Sequence, residues 1–287
     1  MIAIFKREFK SYFINMSGYV FLGVIWLFSG IFSTALNFIG QYASYEYVLS
    51  NLMTVLMLIV PILTMRSMAE DRRAKTDMLL YSLPISSAQI VLGKYLAMLA
   101  VYGIACGGMS LTPIVIGMYG EVNFASAFGA ILGFFLLGAA LIAVCTFVSS
   151  LTENQLIAAI SGIASSLGLY LLGSLVGMIP ASAIASFICF IVLAIVLSAI
   201  VYLLTRSYII TAVVGGVTII PLSVAYFINS EMFASAFPKA LEYLALFDRF
   251  YNFLGGIFDV GAIVYYISFA VFFIFLTVQS FDKRRWS

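Results

Sequence analysis

The chain is 287 residues long, 64% hydrophobic and only 9% charged, with a formal net charge of +2 and a mean hydropathy of +1.14. A soluble globular domain carries about 45–50% apolar and about 25% charged residues, so this much apolar surface cannot all be withdrawn from water. Composition therefore excludes a water-soluble enzyme or binding module and places the chain in lipid. A backbone that crosses a bilayer is helical or a closed barrel. A barrel alternates polarity in runs of about ten residues, whereas the runs here are long and unbroken, so the expected fold is all-α and polytopic.

Residues 1–13, MIAIFKREFKSYF, set Ile2, Phe5, Phe9 and Phe13 along one helical stripe and Lys6, Arg7 and Lys10 along another. The pattern predicts an amphipathic helix in the cytoplasmic interface, held by aromatic burial and by attraction to anionic membrane lipid. The same residues also suit the basic flank of a first span. The apolar run that follows is too long for a signal-peptide core and lacks a small-residue cleavage site, so a cleavable leader is not expected.

Each charge at mid-bilayer costs about 2.5–3.5 kcal/mol on insertion scales, and a span needs roughly 20 apolar residues, so the intervals between charges bracket the spans. They predict one span near 18–39, one between Glu46 and Arg66, one between Lys94 and Glu121 and one between Glu121 and Glu153. The interval from Glu153 to Arg206 is long enough for two, broken near Gly177–Pro180 because proline ends or kinks a helix. One more lies between Arg206 and Glu231, and the last lies between Asp259 and Asp282. The range is six to eight spans, with eight preferred, and 184–205 and 208–228 are the two beyond six. With the N-terminus inside, twelve of the 14 Lys and Arg residues are cytoplasmic and only Lys239 and Arg249 are external. That bias favours an even count with both termini in the cytoplasm.

Residues 66–94 form the largest cytoplasmic segment. Arg66, Glu70, Asp71, Arg72, Arg73, Lys75 and Asp77 are followed by Met78, Leu79, Leu80 and Leu83, and then by Pro84. This reads as a short helix, a stop at Pro84, and a new start at which Ser86 and Gln89 make a capping box. Mixed charge beside an apolar patch suits docking of a cytoplasmic protein; it equally suits a solvated loop that obeys the positive-inside rule. Residues 229–259 form an external loop, in which Pro238 could start an interfacial helix carrying Leu241, Leu244, Phe247, Phe250, Tyr251 and Leu254.

Chemistry-bearing motifs are sparse. Histidine is absent, no phosphate-cradling loop is present, and Cys106, Cys145 and Cys189 lie in apolar runs without metal-ligand spacing. The chain is not expected to be an enzyme or to hold a cofactor or metal of its own. Nothing in it points to a nucleic-acid partner. The bracketed spans contain no Asp, Glu, Lys or Arg, which argues against an ion-coupled carrier. The pairs Gly103/Gly107, Gly129/Gly133 and Gly173/Gly177 repeat at small-xxx-small spacing and predict close helix packing.

Four stretches carry a resemblance: Ile4–Phe13 with Ser17-Gly18-Tyr19; Pro61–Asp71, continuing through Thr76–Leu80 and Leu83–Ser86 to Gly93-Lys94; Ser150–Gln155; and Phe247–Phe250 with Tyr265-Tyr266 and the terminal Arg284-Arg285-Trp286. The chain resembles ABC-2 type transporter permeases, in particular gliding-motility-type and multidrug-exporter-like membrane subunits. The resemblance implies a single permease domain over 1–287 in the bacterial cytoplasmic membrane. It further implies pairing with a second copy or a paralogue, and with ATP-binding-cassette ATPase subunits that hold the ATP and magnesium. It implies that residues 1–13, with Phe5, Lys6, Arg7, Phe9 and Lys10, are an elbow helix and that residues 66–94 are the coupling helix. The coupling contacts are then Arg66, Glu70, Asp71, Arg72, Arg73, Thr76, Leu79, Leu80 and Pro84, with Glu153, Asn154 and Gln155 as a smaller second contact or cap. Eight spans depart from the six of the core family. A non-transporting anchor through which an ATPase acts on an external partner is the alternative.

Overall fold

The computed structural model describes residues 1–73, 85–180, 182–205, 208–228 and 230–285, which are helical almost throughout and contain no strand. The helices are α1 (Ile2–Ile14), α2 (Ser17–Ser33, running on into a π-helical turn Thr34–Ile39), α3 (Glu46–Arg73), α4 (Ser87–Met109), α5 (Leu111–Gly117), α6 (Phe124–Leu151), α7 (Gln155–Met178), α8 (Ala183–Thr205), α9 (Tyr208–Ile228), α10 (Ala236–Leu244), α11 (Asp248–Leu254) and α12 (Val260–Arg285). Six helical stretches among the described residues are long and apolar enough to cross a bilayer: Ser17–Ile39, Glu46–Arg73, Ser87–Gly117, Phe124–Leu151, Gln155–Met178 and Val260–Lys283. The protein is a multi-pass membrane protein. α8 and α9 carry shorter apolar stretches, Ala183–Val196 and Gly215–Ile228. The helix break expected near Gly177–Pro180 lies between α7 and α8.

The chain divides into two compact units, Met1–Gly168 with Leu246–Ser287, and Leu169–Ala245. In the first unit α6 is the spine, packed along α3 and α12 and also against α4 and α11. Its sequence explains this placement. At Gly133 and Gly138 the missing side chain leaves a local gap, and aromatic rings settle into it. In lipid such packing, together with interhelical hydrogen bonds, takes over the role that apolar burial plays in water. Tyr102 on α4 lies on Gly138, with its hydroxyl donating to the Phe134 carbonyl at 2.7 Å. Tyr95 reaches the Ala139 carbonyl at 3.1 Å. Trp26 on α2 covers Gly108 and donates to the Ala105 carbonyl at 3.0 Å. In the second unit α8 and α9 pack antiparallel. Phe187 stacks on Tyr226 at 4.3 Å, and Phe233 stands edge-on to Phe187 and Phe190.

Three expectations need correction. The charged run after the second span does not begin a new element, because α3 continues unbroken through Arg73. The helix expected to start at Ser86 and to run through Lys94 into the third span is α4, and Lys94 lies two turns inside it, paired with acidic partners. Residues 236–254 form two helices, α10 and α11, with the chain turning between them at 245–247. Phe247, Phe250 and Phe253 are buried in the first unit rather than spread on an interface, Phe250 lying 5.9 Å from Phe134 and Phe253 lying against Gly133. Finally, Gly107 and Gly129 face open space, so within the pairs 103/107 and 129/133 only Gly133 makes the close contact that the spacing suggests.

A Cβ on Gly138 would stand 2.3 Å from the Tyr102 ring. Gly138→Ala should therefore lower stability by about 1–3 kcal/mol through overpacking, whereas Gly129→Ala, with nothing within 4 Å, should leave it unchanged or raise it. Thermal unfolding of the two variants in detergent checks this, and equal midpoints would refute the packing account.

Candidate functional site

The polar chemistry of the first unit gathers where α1, the charged end of α3 and the start of α4 meet. α1 presents three faces. Lys6, Arg7 and Lys10 are exposed, Phe5 and Phe9 are half-buried and stacked at 5.8 Å, and Ile4 and Tyr12 are buried. Ile4, Glu8 and Tyr12 are four residues apart and so share one face of the helix. Ile4 joins Met68, Ile90, Val91 and Phe281 in an apolar cluster drawn from α1, α3, α4 and α12. Gly93 permits this approach, since a Cβ there would touch the Ile4 side chain at 3.0 Å.

Beside that cluster lies a buried cation. The Lys94 side chain is 2% exposed, and its Nζ stands 2.6 Å from Asp71 Oδ2 and 3.4 Å from Glu8 Oε1. It also donates to the Ser67 carbonyl at 2.6 Å. Arg7 pairs with the same Glu8 oxygen at 2.6 Å. One lysine on α4 thus joins α1 to the last two turns of α3. Burial, and then the nearby Glu8 carboxylate, raise the Tyr12 hydroxyl well above the usual tyrosine range. It therefore stays a proton donor, and it points at the Leu63 carbonyl 3.5 Å away. Ser149 on α6 donates to the Met65 carbonyl at 3.3 Å, and Ser87 at the head of α4 bonds Asp282 on α12. The N-cap expected at α4 is present, with Ser86 Oγ accepting from the Gln89 N–H.

The coupling residues expected from the sequence separate by direction. Glu70 and Arg73 are exposed, Arg66 is half-buried, Asp71 turns inward to Lys94, and Arg72 is 7% exposed. Thr76, Leu79, Leu80 and Pro84 lie outside the described residues. Glu153 is exposed, while Asn154 caps α7, its side-chain oxygen accepting from the Leu156 N–H at 2.9 Å. Glu8, Ser67 and Tyr12 were not singled out as site residues from sequence, and Lys94 was placed in the helix entering the third span without a partner. Two signals were available: Glu8 is the sole acid in residues 1–13, and a lysine at the head of an apolar helix requires a counter-ion.

An open, polar-lined cleft of about 340 Å³ lies beside this network, lined by Arg7, Glu8, Tyr12, Arg66, Glu70 and Lys94 among others. At the far end of the same unit a second polar cavity, of about 560 Å³, is lined by Glu46, Tyr47, Asn123, Ser126 and Tyr251 among others. There the Asp259 carboxyl accepts from Asn252 at 3.0 Å and from the Ala262 N–H at the head of α12. Those donors, the Asn252 amide first, hold it below the usual carboxylate range. Among the described residues no cluster of metal-ligating side chains occurs.

The family profile described as ABC-2 family transporter protein matches residues 31–207, well over half the chain. No curated protein and no solved structure matches it. The matched span includes the charged end of α3 and Lys94; α1, and with it Glu8, lies outside.

Breaking a buried ion pair from one side leaves an uncompensated charge and costs about 3–5 kcal/mol. Lys94→Met should lower stability by about that amount, and adding Asp71→Leu should recover part of the loss. Glu8→Gln should cost less, because its contact with Lys94 is longer and Arg7 shares the carboxylate. Unfolding midpoints in detergent read all three, and a double variant no better than Lys94→Met alone would contradict the pairing.

Proposed function

The chain belongs to the ABC-2 transporter family, and on that premise we propose that it is the permease half of an ATP-driven exporter whose ATPase is a separate polypeptide. It spans the membrane as a transport component. In this reading it pairs with a second copy or a paralogue in the bacterial cytoplasmic membrane. ATP and magnesium are bound by the partner ATPases, both termini face the cytoplasm, and α8 and α9 add two spans to the six already identified.

The observation that carries this reading is the buried Lys94 network. In this reading the ATPase docks on the segment around 66–94, with Glu70 and Arg73 offering charge to it. Closure of the ATPase pair pushes on the end of α3. Asp71 and Ser67 belong to that end and both hold Lys94, so α4 moves with it, and Glu8 brings α1 along. A displacement of the docking segment thus reaches three helices at once and is converted into a change of access through the spans. The orientation follows from the lysine and arginine bias of the sequence, and the Phe5 and Phe9 face of α1, left half-buried by the protein, is available to the inner leaflet.

Glu70→Lys combined with Arg73→Glu reverses two exposed charges without touching the Lys94 network. Like-charge juxtaposition across an interface costs several kcal/mol, so recovery of the ATPase with the tagged permease should fall at least about tenfold, with an unchanged gel-filtration profile. Undiminished recovery would count decisively against docking on this segment.

A further inference from the structure

The polar space beside α1 does not end at the α1–α2 joint. A second cavity, of about 350 Å³, runs from there between α2 and α3, with Val20, Phe21, Val24, Ile59, Ile62 and Leu63 in its walls. The two share Asn15, Ser17 and Arg66. The result is one groove with a polar head and an apolar shaft, and the shaft runs alongside two membrane-crossing helices. Such a groove has the polarity profile of a lipid molecule standing in one leaflet.

The charges identify the headgroup. Glu8 and Asp71 are already engaged with Lys94, and Glu8 also with Arg7. Glu70 is exposed. Arg66 stands where the polar and apolar parts meet, half-buried, and its Nε is shielded from solvent with no hydrogen-bond partner among the described residues. A buried donor left unpaired is costly, and a guanidinium matches a phosphate through parallel charge-assisted bonds. Ser17 and Asn15 add polar groups at the same level.

We propose that this groove binds one anionic phospholipid, its phosphate on Arg66 and an acyl chain between α2 and α3. The lipid supplies the acceptor that Arg66 lacks and fills the shaft, fastening the α1–α2 joint to α3. A free phosphate would leave the shaft empty, which is why an amphiphile is the occupant.

The test is native mass spectrometry of the full chain released from detergent micelles. The probes are phosphatidylglycerol, diacylglycerol with the same acyl chains, and glycerol 3-phosphate. Wild type should retain one phosphatidylglycerol with about tenfold preference over diacylglycerol, which lacks the phosphate, the effect of one charge-assisted contact. Arg66→Gln should abolish the preference, Arg66→Lys should keep part of it, and Ile62→Trp should weaken both lipids together. Glycerol 3-phosphate in excess should not displace the lipid. Equal binding of the two lipids by wild type, or an undiminished preference in Arg66→Gln, would overturn the proposal. Displacement by glycerol 3-phosphate would overturn it in favour of a small-anion site. Loss of a dimer mass in Ile62→Trp with lipid retention unchanged would overturn it in favour of a second copy seated on the groove. Should Arg66→Gln fail to fold, as judged by circular dichroism, Arg66→Lys and Ile62→Trp still decide the outcome.

Discussion

An ammonium group removed from water is tolerable only beside charges that replace its hydration, and Lys94 meets that demand with groups from two other helices. Asp71 and the Ser67 carbonyl come from α3 and Glu8 comes from α1. Because stranding any of these charges is expensive, the end of α3, the head of α4 and the inner face of α1 have one favourable arrangement. The apolar cluster of Ile4, Met68, Ile90, Val91 and Phe281 beside it packs the same three helices together. Packing and charge therefore enforce the same geometry, and the remaining contacts at this end, Ser149 on Met65 and Ser87 on Asp282, extend it to α6 and α12.

Away from that network the first unit relies on close approach rather than on charge. Two glycines of α6 leave gaps between its larger side chains, and rings from α4 and α11 occupy them: Tyr102 on Gly138 and Phe253 on Gly133. Tyr95, Tyr102 and Tyr266 each bring a hydroxyl that donates to a backbone carbonyl, of Ala139, Phe134 and Leu246. In lipid that satisfaction matters, because no water is present to accept the proton instead. The same logic accounts for Tyr45, fully buried with its hydroxyl 3.0 Å from that of Ser29.

The membrane class and most helix positions could be read from the sequence because a lone charge is prohibitive in hydrocarbon, so charge-free intervals mark spans. That rule marks the charge-free part of a span and not the end of its helix. α3 runs on through Arg73, and Lys94 is buried two turns into α4 beside Asp71, Glu8 and the Ser67 carbonyl, partners that are distant in sequence. Glu8 and Lys94 are separated by 86 positions, and no local pattern announces that they meet. Glycine spacing misled for a related reason. Close packing needs a bulky neighbour as well as a small residue, and only the fold shows that Gly108 and Gly138 have one while Gly107 and Gly129 do not. Aromatic content suggested a single interfacial helix around 238–254. The turn at 245–247 instead directs Phe250 and Phe253 onto α6, a choice made by the gap beside Gly133.

The corner between α1 and α2 is made by Met16, whose φ of 57° lies in the left-handed region, where a residue with a side chain has one narrow well to occupy. Two residues on, Gly18 is backed so closely onto the Tyr12 carbonyl that a Cβ would sit 3.0 Å from the oxygen. A joint with one backbone well and so little clearance behind it resists swinging. It acts as a set square whose two arms hold their angle, so a tilt of α2 across the bilayer carries α1 with it.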